Sequence, residues 1–358
     1  MLSQHRRHGV LAAILLALIV PSAPAADLTW NGGAGVTGDW FTAANWSPAQ
    51  APTNAGDTVA ITNGCVLLTN STAGLASFSI SNATLLFSNW NTVLNATNVM
   101  VHSNGVITLP SAFTNNQPSN NVYVVCSNFT LKAGGSILAD GRGFARITGP
   151  GRGTNVPQRY RGSGGGGYGG KGGTGGYPAW GTVLGAGGSP YGSTNVPLDP
   201  GSGGGGLYDY SLGGHGGGAV RIAASGAVTI DGTVTANGGA GGNIYNDTPC
   251  GGGSGGGIFI ACASIGGGAG GILQANGGNA AIGQDYSGFA GGGGGGRIAI
   301  AIGFSDADLN NLIGGSEIPG LLVYSQDPSF PGTLSVTNGT DDFHRTITVP
   351  PDGAYPGT

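Results

Sequence analysis

Three tryptophans lie close together near the start of the chain, and their rings could take part in recognition. They are Trp30, Trp40 and Trp46. Aromatic rings can stack on the apolar faces of sugar rings, so one hypothesis is a carbohydrate-binding platform. The alternative, which we favour, is a hydrophobic cap over an open end of the fold, because bulky aromatic side chains bury a large apolar area.

Basic residues concentrate in one glycine-rich stretch. With Tyr160 and Tyr168, this stretch is similar to a glycine–arginine tract that binds RNA. No Arg-Gly-Gly triplet is repeated, however, and a secretory leader at the N-terminus would direct the chain out of the cell. We therefore predict no nucleic-acid partner. We favour an exposed loop with incidental positive charge, and a surface for an acidic polysaccharide is the alternative. The arginines concerned are Arg142, Arg146, Arg152, Arg159 and Arg161.

Candidates for catalysis are few. Polysaccharide-cleaving enzymes need clustered carboxylates, often with calcium or a basic proton acceptor. Lys132 and Asp231 occupy corresponding positions in "FTLK" and "VTID", which predicts near neighbours and most simply an exposed ion pair. Asp285 lies in "GGNAAIGQDYSG", which resembles a single copy of a glycine–aspartate calcium repeat. One copy does not make a site, so we predict no catalytic residue, metal site or cofactor.

The composition leaves open whether the chain folds. Glycine accounts for 77 of 358 residues and proline for 19, a content typical of disorder when it lacks a period. Hydrophobic residues nevertheless make up 39%, enough for a core, and only 8% are charged. The formal net charge of −4 gives no general attraction to nucleic acid or anionic membrane.

The N-terminus has the pattern of a secretory signal peptide. Basic residues at 5–8 precede an apolar run from Val10 to Val20, Pro21 ends that run, and Ala23-Pro24-Ala25 fits a cleavage site. A membrane anchor is the alternative, but a span needs about 20 apolar residues. We therefore predict residues 1–25 to be removed and the mature chain to be exported without a membrane span.

Four cysteines would then meet an oxidising compartment. They are Cys65, Cys126, Cys250 and Cys262, and their spacing matches no zinc or redox motif. Cys250 and Cys262 are the closest in sequence and the first choice for a disulfide, while buried thiols are the alternative.

An internal repeat argues against disorder. "GGGAVRIA" begins at Gly216, "GGGIFIAC" at Gly255 and "GGGRIAIA" at Gly294, so both intervals (255 − 216 and 294 − 255) are 39 residues. An Ala-Asn/Asp-Gly turn recurs at Asp140, Asn237 and Asn276. Such regularity predicts a solenoid of similar coils with variable loops.

The starts of short β-branched or aromatic runs extend this repeat along the chain. They fall at Val59, Phe78, Val99, Val122, Val220, Phe259 and Ile298. The shorter intervals indicate a bare unit of about 20 residues, and the longer ones indicate insertions at roughly 142–217, 240–257 and 278–296. Inserts at one recurring place should project from one side. We favour packed, extended glycine segments over mobile loops. We also expect the stacked coils to fold without the longest insert.

Alternation within each run predicts half-buried strands. Val220, Ile222 and Ala224 should face inward with Arg221 outside, and Ile300 should repeat the inward position with Arg297 outside. Small residues such as Ala261 and Ala263 suit a narrow interior. Three runs in each unit predict a triangular coil whose strands pair with the next coil. One short helix is expected at 305–313.

Two stretches carry a family resemblance. "TWNGGAGVTGDWFTAANWSPAQAPTNAGDTVAI" at 29–61 resembles the opening of secreted bacterial β-helix proteins, including autotransporter passengers. "GGGGGGRIAIAI", followed by "PGTLSVTNG", resembles the glycine-rich repeat of very large surface proteins of Gram-negative bacteria. The resemblance implies an exported right-handed parallel β-helix with a structural or adhesive role.

The sequence thus predicts an all-β, right-handed, three-sided parallel β-helix with glycine-rich loop insertions. The expected segments are a signal peptide (1–25), a Trp-rich cap (26–57), regular coils (58–141), coils with glycine-rich insertions (142–315) and a C-terminal β segment (316–358) that continues if the chain is longer. The favoured function is a secreted or cell-surface structural or adhesive protein that contacts extracellular polysaccharide or cell-surface components. A polysaccharide-active enzyme or a carbohydrate-binding module is the alternative.

Overall fold

The computed structural model describes residues 24–32, 37–177, 182–207, 211–245, 247–283, 288–302, 308, 310–311, 323–324 and 330–340. Over these residues the chain is all-β, apart from a short 3-10 helix at Ala43–Asn45 and a few helical residues near 310. Asp308, Asn310 and Asn311, inside the expected helix at 305–313, are helical. Most of the expected signal peptide, Asp285 and much of 316–358 lie outside the described residues.

Two long sheets of mostly parallel strands contain most of the strands. The first sheet consists of β1 (Asp27–Trp30), β3 (Trp46–Ser47), β4 (Thr58–Ile61), β6 (Leu75–Ile80), β8 (Leu94–Val101), β10 (Val122–Leu131), β14 (Ala219–Ala224), β15 (Ala227–Ile230), β19 (Gly257–Cys262), β20 (Ser264–Gly266), β22 (Arg297–Ile302) and β23 (Val323–Tyr324). The second consists of β2 (Thr37–Asp39), β5 (Cys65–Leu68), β7 (Thr84–Phe87), β9 (Val106–Thr108), β11 (Ser136–Leu138), β16 (Thr233–Thr235), β21 (Ile272–Gln274) and β24 (Thr333–Ser335). Two small antiparallel pairs are β12 (Gly175–Tyr177) with β13 (Thr182–Gly185), and β17 (Asn243–Ile244) with β18 (Thr248–Pro249).

The chain passes back and forth between the two long sheets. From β4 to β11 successive strands alternate between them, and each strand pairs in parallel with the strand two further along. The alternation of buried and half-exposed residues in β5 and β7 explains why one face turns to a common core. Stacked apolar residues of the second sheet run in a single column through Val66, Leu85, Ile107, Ile137, Val234, Leu273 and Leu334.

The recurring Ala-Asn/Asp-Gly turn forms a ladder of hydrogen bonds. The backbone N–H of Asn237 donates to Oδ1 of Asp140 (2.6 Å), and that of Asn276 donates to Oδ1 of Asn237 (2.8 Å). Thr337 continues the ladder by donating its N–H to Oδ1 of Asn276 (2.8 Å). The predicted correspondence of these three turn residues is therefore confirmed, because each satisfies a backbone group of the next.

The strand register corrects the sequence alignment by one residue. Val220 pairs with Ile258 and not with Phe259, and Ile258 pairs with Ile298. A shift of one residue turns side chains to the opposite face, so Ile258 faces the main core while Ala261 faces outward. The prediction that Ala261 and Ala263 fill the interior is wrong, and Ala263 is exposed.

A second correction concerns the start of β10. Val99 pairs with Phe129, so the repeat that begins at Val99 continues at Phe129 and not at Val122. The first half of β10 pairs with β14, and its second half pairs with β15. One long strand therefore pairs with two successive strands, a feature that counting strand starts does not reveal.

The outward face of β14, β19 and β22 is covered. Ala223, Phe259 and Ala299 form a small second core there with Val196, and Leu198 packs against it. Arg221 points outward as expected, but it is only 8% exposed, so the expectation that it lies in solvent is wrong. The longest insert covers this face of the two long sheets, which are together called the wall below.

Packed glycine segments form a bundle beside the sheets. Along one segment, every third residue donates a hydrogen bond to the same neighbouring segment. Gly164 and Gly167 donate to the segment at 151–154, whereas Gly165 donates to Gly173 and Gly166 to Gly252. Three residues per turn is the period of the extended polyproline II helix, which lets backbone groups point in three directions.

The segment at 163–167 lies at the centre of this bundle. Hydrogen bonds or close backbone contacts connect it to segments on all sides, at 151–154, 172–175, 185–188, 202–205, 251–254 and 291–294. Its glycines are buried, which agrees with packed rather than mobile inserts. Because the bundle core comes from the longest insert, that insert is an integral part of the fold.

The cysteines are thiols in the structure. Cys262 belongs to the main core, whereas Cys250 lies at the far end of a glycine segment that leads into the same strand. The expected Cys250–Cys262 disulfide is therefore not formed. Burial raises the pKa of the Cys126 thiol to about 12, so this thiol is protonated at neutral pH.

Candidate ligand-binding site at the loop end of the glycine bundle

At the ends that lie away from the sheets, the glycine segments meet in one group of loops, here called the loop end. It consists of the loops that contain Tyr160, Gly176, Leu212, residues 242–245 and 247–250, Ala281 and Phe289. Three glycine segments lead directly into strands of the first sheet: 213–218 into β14, 251–256 into β19 and 291–296 into β22. The other end of each segment therefore points away from the sheets. Backbone hydrogen bonds join these loops: Gly242 donates to Leu212, Ala281 donates to Cys250, and Gly176 donates to Phe289.

Two exposed tyrosines flank an arginine at the loop end. The guanidinium carbon of Arg159 lies 5.4 Å from the ring centre of Tyr160 and 4.7 Å from that of Tyr245. Tyr160 is 50% exposed and Tyr245 60% exposed. Arg159 also pairs with Asp247, whose hydrogen bond raises the pKa of the guanidinium above its ordinary value and keeps it charged. The arrangement presents aromatic surface with a fixed cation between the rings.

The backbone holds both tyrosines in an uncommon conformation. Tyr160 has φ 65° and Tyr245 has φ 53°, the left-handed region that non-glycine residues rarely adopt. The N–H of Tyr160 donates to Oγ1 of Thr248 (3.1 Å), and that hydroxyl donates to Asp247 (2.8 Å). Bulky residues in this region cost roughly 1–2 kcal/mol each, so the surrounding loops must hold them in place.

Further apolar side chains are exposed on the same loops. Ile282 is 71% exposed, and its carbonyl accepts a hydrogen bond from the side chain of Asn243 in β17, two residues before Tyr245. Leu212 is 44% exposed and joins the group through the Gly242 bond. The loop end is therefore richer in exposed apolar surface than a solvated loop requires.

The structure places the predicted site residues in different surroundings. Arg159 contacts the tyrosines. The N–H of Arg146 donates to Nδ1 of His215 (3.1 Å), and its side chain donates to the Ser211 carbonyl. Arg142 and Arg161 are half-buried, and Arg152 is exposed on the 151–154 segment. The arginine cluster of the sequence is thus spread along the bundle.

The tryptophans are buried. Trp30, Trp40 and Trp46 are at most 1% exposed, and Trp46 packs edge-to-face against both others with ring centres 5.0 Å apart. Nε1 of Trp46 donates to the Trp40 carbonyl (2.7 Å). Trp30 and Trp46 lie in β1 and β3, at one end of the first sheet. Rings enclosed in this way leave no face for a sugar, so the stacking hypothesis for these residues has no support.

Tyr168, which the sequence groups with Tyr160, is buried in a polar cluster nearer the sheets. Its ring lies 5.2 Å below the Arg297 guanidinium and packs against Tyr191 with ring centres 5.0 Å apart. The Tyr191 hydroxyl donates to the Pro200 carbonyl. Desolvation raises the pKa of Tyr168 and Tyr191, and also that of Asp199. This cluster attaches the covering segment to the wall.

The candidates for catalysis are not clustered. The pairing of β10 with β15 places Lys132 beside Asp231, as predicted, but Oδ1 of Asp231 accepts the N–H of Gly268 (2.7 Å). Within the described part of the chain, no three His, Cys, Asp or Glu side chains are grouped as metal ligands. The same part contains no helix long and apolar enough to cross a membrane.

Tyr245 and Asp247 are the site residues that the sequence did not reveal. They lie between Gly242 and Pro249, inside an insert recognised only by its glycines. The short stretch "IYNDTP" interrupts the glycines of this insert. Such an interruption is a local signal of a functional loop, because packing of the glycine segments does not require these side chains.

Comparison with known proteins gives one match. Residues 45–125 match the family model of the G8 domain. The matched segment runs from Asn45 through β9 into the first half of β10, and therefore lies in the two-sheet wall and outside the glycine bundle. No curated protein and no solved structure matches the chain. The loop-end tyrosines lie outside the region that resembles a known family.

Proposed function

We propose that this chain is an exported, right-handed parallel β-helix with a structural or adhesive role. Support for the three-sided form comes from the strand pairing. The first half of β10 pairs with β14 and its second half with β15, while β11 pairs with β16 in the other long sheet. Right-handedness follows from the general rule for parallel crossovers. A wall of this kind is a stiff support, and the glycine bundle carries the loop end away from it.

The loop end is the proposed ligand-binding surface, and its ligand is an extracellular polysaccharide or a cell-surface glycan. The single observation that carries this proposal is the exposed Tyr160–Arg159–Tyr245 group held in left-handed backbone. Aromatic rings bury the apolar faces of sugar rings, while Arg159 and Asp247 provide hydrogen-bonding groups for hydroxyls. Exposed aromatic and arginine side chains are also the residues that most often dominate binding energy.

Replacing both tyrosines tests this surface. We expect Tyr160→Ala with Tyr245→Ala to weaken binding to cells or soluble polysaccharides at least ~10-fold, because the stacking area is lost. Binding would be measured by affinity electrophoresis in dextran, xylan, pectin and alginate, and by whole-cell pull-down. Val336→Ala removes a similarly exposed apolar side chain from another part of the chain and is the matched control. Unchanged binding by a folded double variant would contradict the proposal.

Export has independent support from Asp57. This carboxylate is fully buried, and its Oδ1 accepts the backbone N–H of Ala26 (2.9 Å) while Oδ2 accepts that of Asn54 (3.0 Å). Cleavage after Ala25 would turn the Ala26 nitrogen into an ammonium group. That positive charge would then lie beside a buried negative charge, which stabilises the carboxylate.

Processing at this position is directly measurable. We expect N-terminal sequencing of protein secreted from a bacterial host to begin at Ala26. Asp57→Asn should destabilise the processed protein more than the same chain made with Met1 retained, because only the processed form has an ammonium group at this place. A different mature N-terminus, or equal losses in the two forms, would argue against the proposal.

A further inference from the structure

Arg221 occupies an unusual position on the covered outer face of the first sheet. It pairs in register with Tyr123 on one side and Phe259 on the other, and its guanidinium carbon lies 4.4 Å from the centre of the Tyr123 ring. Arg221 and Tyr123 are each 8% exposed. The cation and the ring are therefore almost completely enclosed between the sheet and the insert that covers it.

Two hydrogen-bond donors of this guanidinium have no acceptor among the residues that the structure describes. They are the Nε and Nη2 groups, which lie side by side on one edge of the planar group. The nearest strand neighbours, Tyr123 and Phe259, supply no carboxylate. On the covering segment, the Asp199 carboxylate lies beside Gly192 and Arg297 instead.

Two buried acceptors without a donor in the described part of the chain lie just before Tyr123 in the sequence. Asn121 immediately precedes β10, two residues from Tyr123, and the alternation of an extended chain would place its side chain on the side of Tyr123. Its Oδ1 is buried without a hydrogen-bond donor among the described residues, as is Oδ1 of Asn120. Burial lowers the pKa of Arg221, and the neighbouring Tyr123 opposes this effect. A buried cation with two unmet donors is unfavourable unless something else satisfies them.

We propose that the Arg221 edge binds the carboxylate group of a small organic acid. Two parallel N–H groups on one guanidinium edge match the spacing of two carboxylate oxygens. One positive charge balances one negative charge, which favours a carboxylate over a doubly charged phosphate. The Oδ1 atom of Asn121 would accept a hydrogen bond from a hydroxyl of the same molecule, as in a sugar acid. This site is separate from the loop end and does not depend on the function proposed for it.

Calorimetric titration of the purified protein tests the site directly. The probes are galacturonate, acetate and uncharged galactose, all at constant ionic strength. We expect both acids to bind and galactose not to bind, with a rise in thermal midpoint on the order of 5 °C at saturating acid. Tighter binding of galacturonate would identify a sugar acid as the ligand, whereas equal binding would identify the carboxylate alone. Absence of heat with both acids would overturn the proposal.

A conservative variant separates this site from simple packing. Arg221→Lys retains the charge above Tyr123 but lacks the two-pronged edge, so the affinity for acid should fall ~10-fold or more. The loop-end double variant, Tyr160→Ala with Tyr245→Ala, should bind acid as the wild type does. Equal acid binding by Arg221→Lys would mean that the arginine only stacks on Tyr123, and would refute the carboxylate site.

Discussion

Gly165→Ala is expected to destabilise the glycine bundle severely. An ideal Cβ at this position would lie 1.9 Å from the Gly292 carbonyl oxygen and 2.5 Å from its carbon, and both atoms belong to a neighbouring backbone segment. Real Cβ atoms do not approach backbone so closely, so two segments would have to separate. Their separation would break the hydrogen bonds that join them directly, from Gly291 to the Ser163 carbonyl and from Gly294 to the Gly166 carbonyl. We expect a loss at or above ~3 kcal/mol, the upper end of ordinary overpacking.

The matched control is Gly74→Ala. A Cβ at Gly74 would meet nothing within 4 Å, and its backbone is not in the left-handed region. This substitution should be neutral or stabilise by about 0.4–1 kcal/mol, because alanine restricts the unfolded chain. Amide hydrogen exchange would follow the bundle glycines separately from the strands, and urea denaturation would give the free energies of unfolding. Similar stabilities for the two variants would mean that the glycine segments are not packed as described.

The bundle also changes the expectation for the longest insert. The sequence suggests that shortening 145–214 leaves the wall intact, because the repeat resumes in register afterwards. In the structure this insert supplies the central segment at 163–167 and places Val196 over Phe259 and Ala299. Its removal would expose the outer face of β14, β19 and β22 and leave the other glycine segments without a shared neighbour.

Local sequence patterns predicted much of the structure of the two long sheets correctly. Alternation in β14 predicted that Val220 and Ile222 face inward, and both are in the main core. The ladder of Asp140, Asn237 and Asn276 was readable because one turn type recurs at one place. The slip at Phe259 arose because a Gly-Gly-Gly motif fixes the start of a strand only to within a residue, and one residue reverses the face.

The candidate site was less accessible to sequence reasoning. The five arginines are close in sequence but belong to a bundle whose segments come from distant parts of the chain. Arg159 meets Tyr245 and Asp247 only because two inserts run side by side. Burial of Arg221 was equally hidden, since the insert that covers it has no apolar period of its own. Contacts made by glycine backbones leave little trace in side-chain patterns.

Ile222→Asp is expected to destabilise the wall by roughly 3–5 kcal/mol or more. Ile222 is fully buried and stacks between Val124 and Ile260 in the same column of the first sheet. A carboxylate at this position has apolar neighbours above and below it and lacks a cation to balance its charge. The substitution also removes apolar contacts, which adds to the loss. Ile300, in register with Ile260, should respond in the same way.

Ala227→Asp is the matched control, since Ala227 is exposed at the start of β15 and should tolerate a charge within about 0.5 kcal/mol. The pH dependence separates charge from lost packing. Burial would raise the pKa of the new carboxyl in the folded state above its unfolded value of roughly 3.9. Above that unfolded pKa the unfolded chain ionises first, so the deficit grows as pH rises and shrinks as pH falls towards 4. Urea denaturation at pH 4 and pH 7 would measure this, and a deficit equal to that of Ala227→Asp would place Ile222 outside the core.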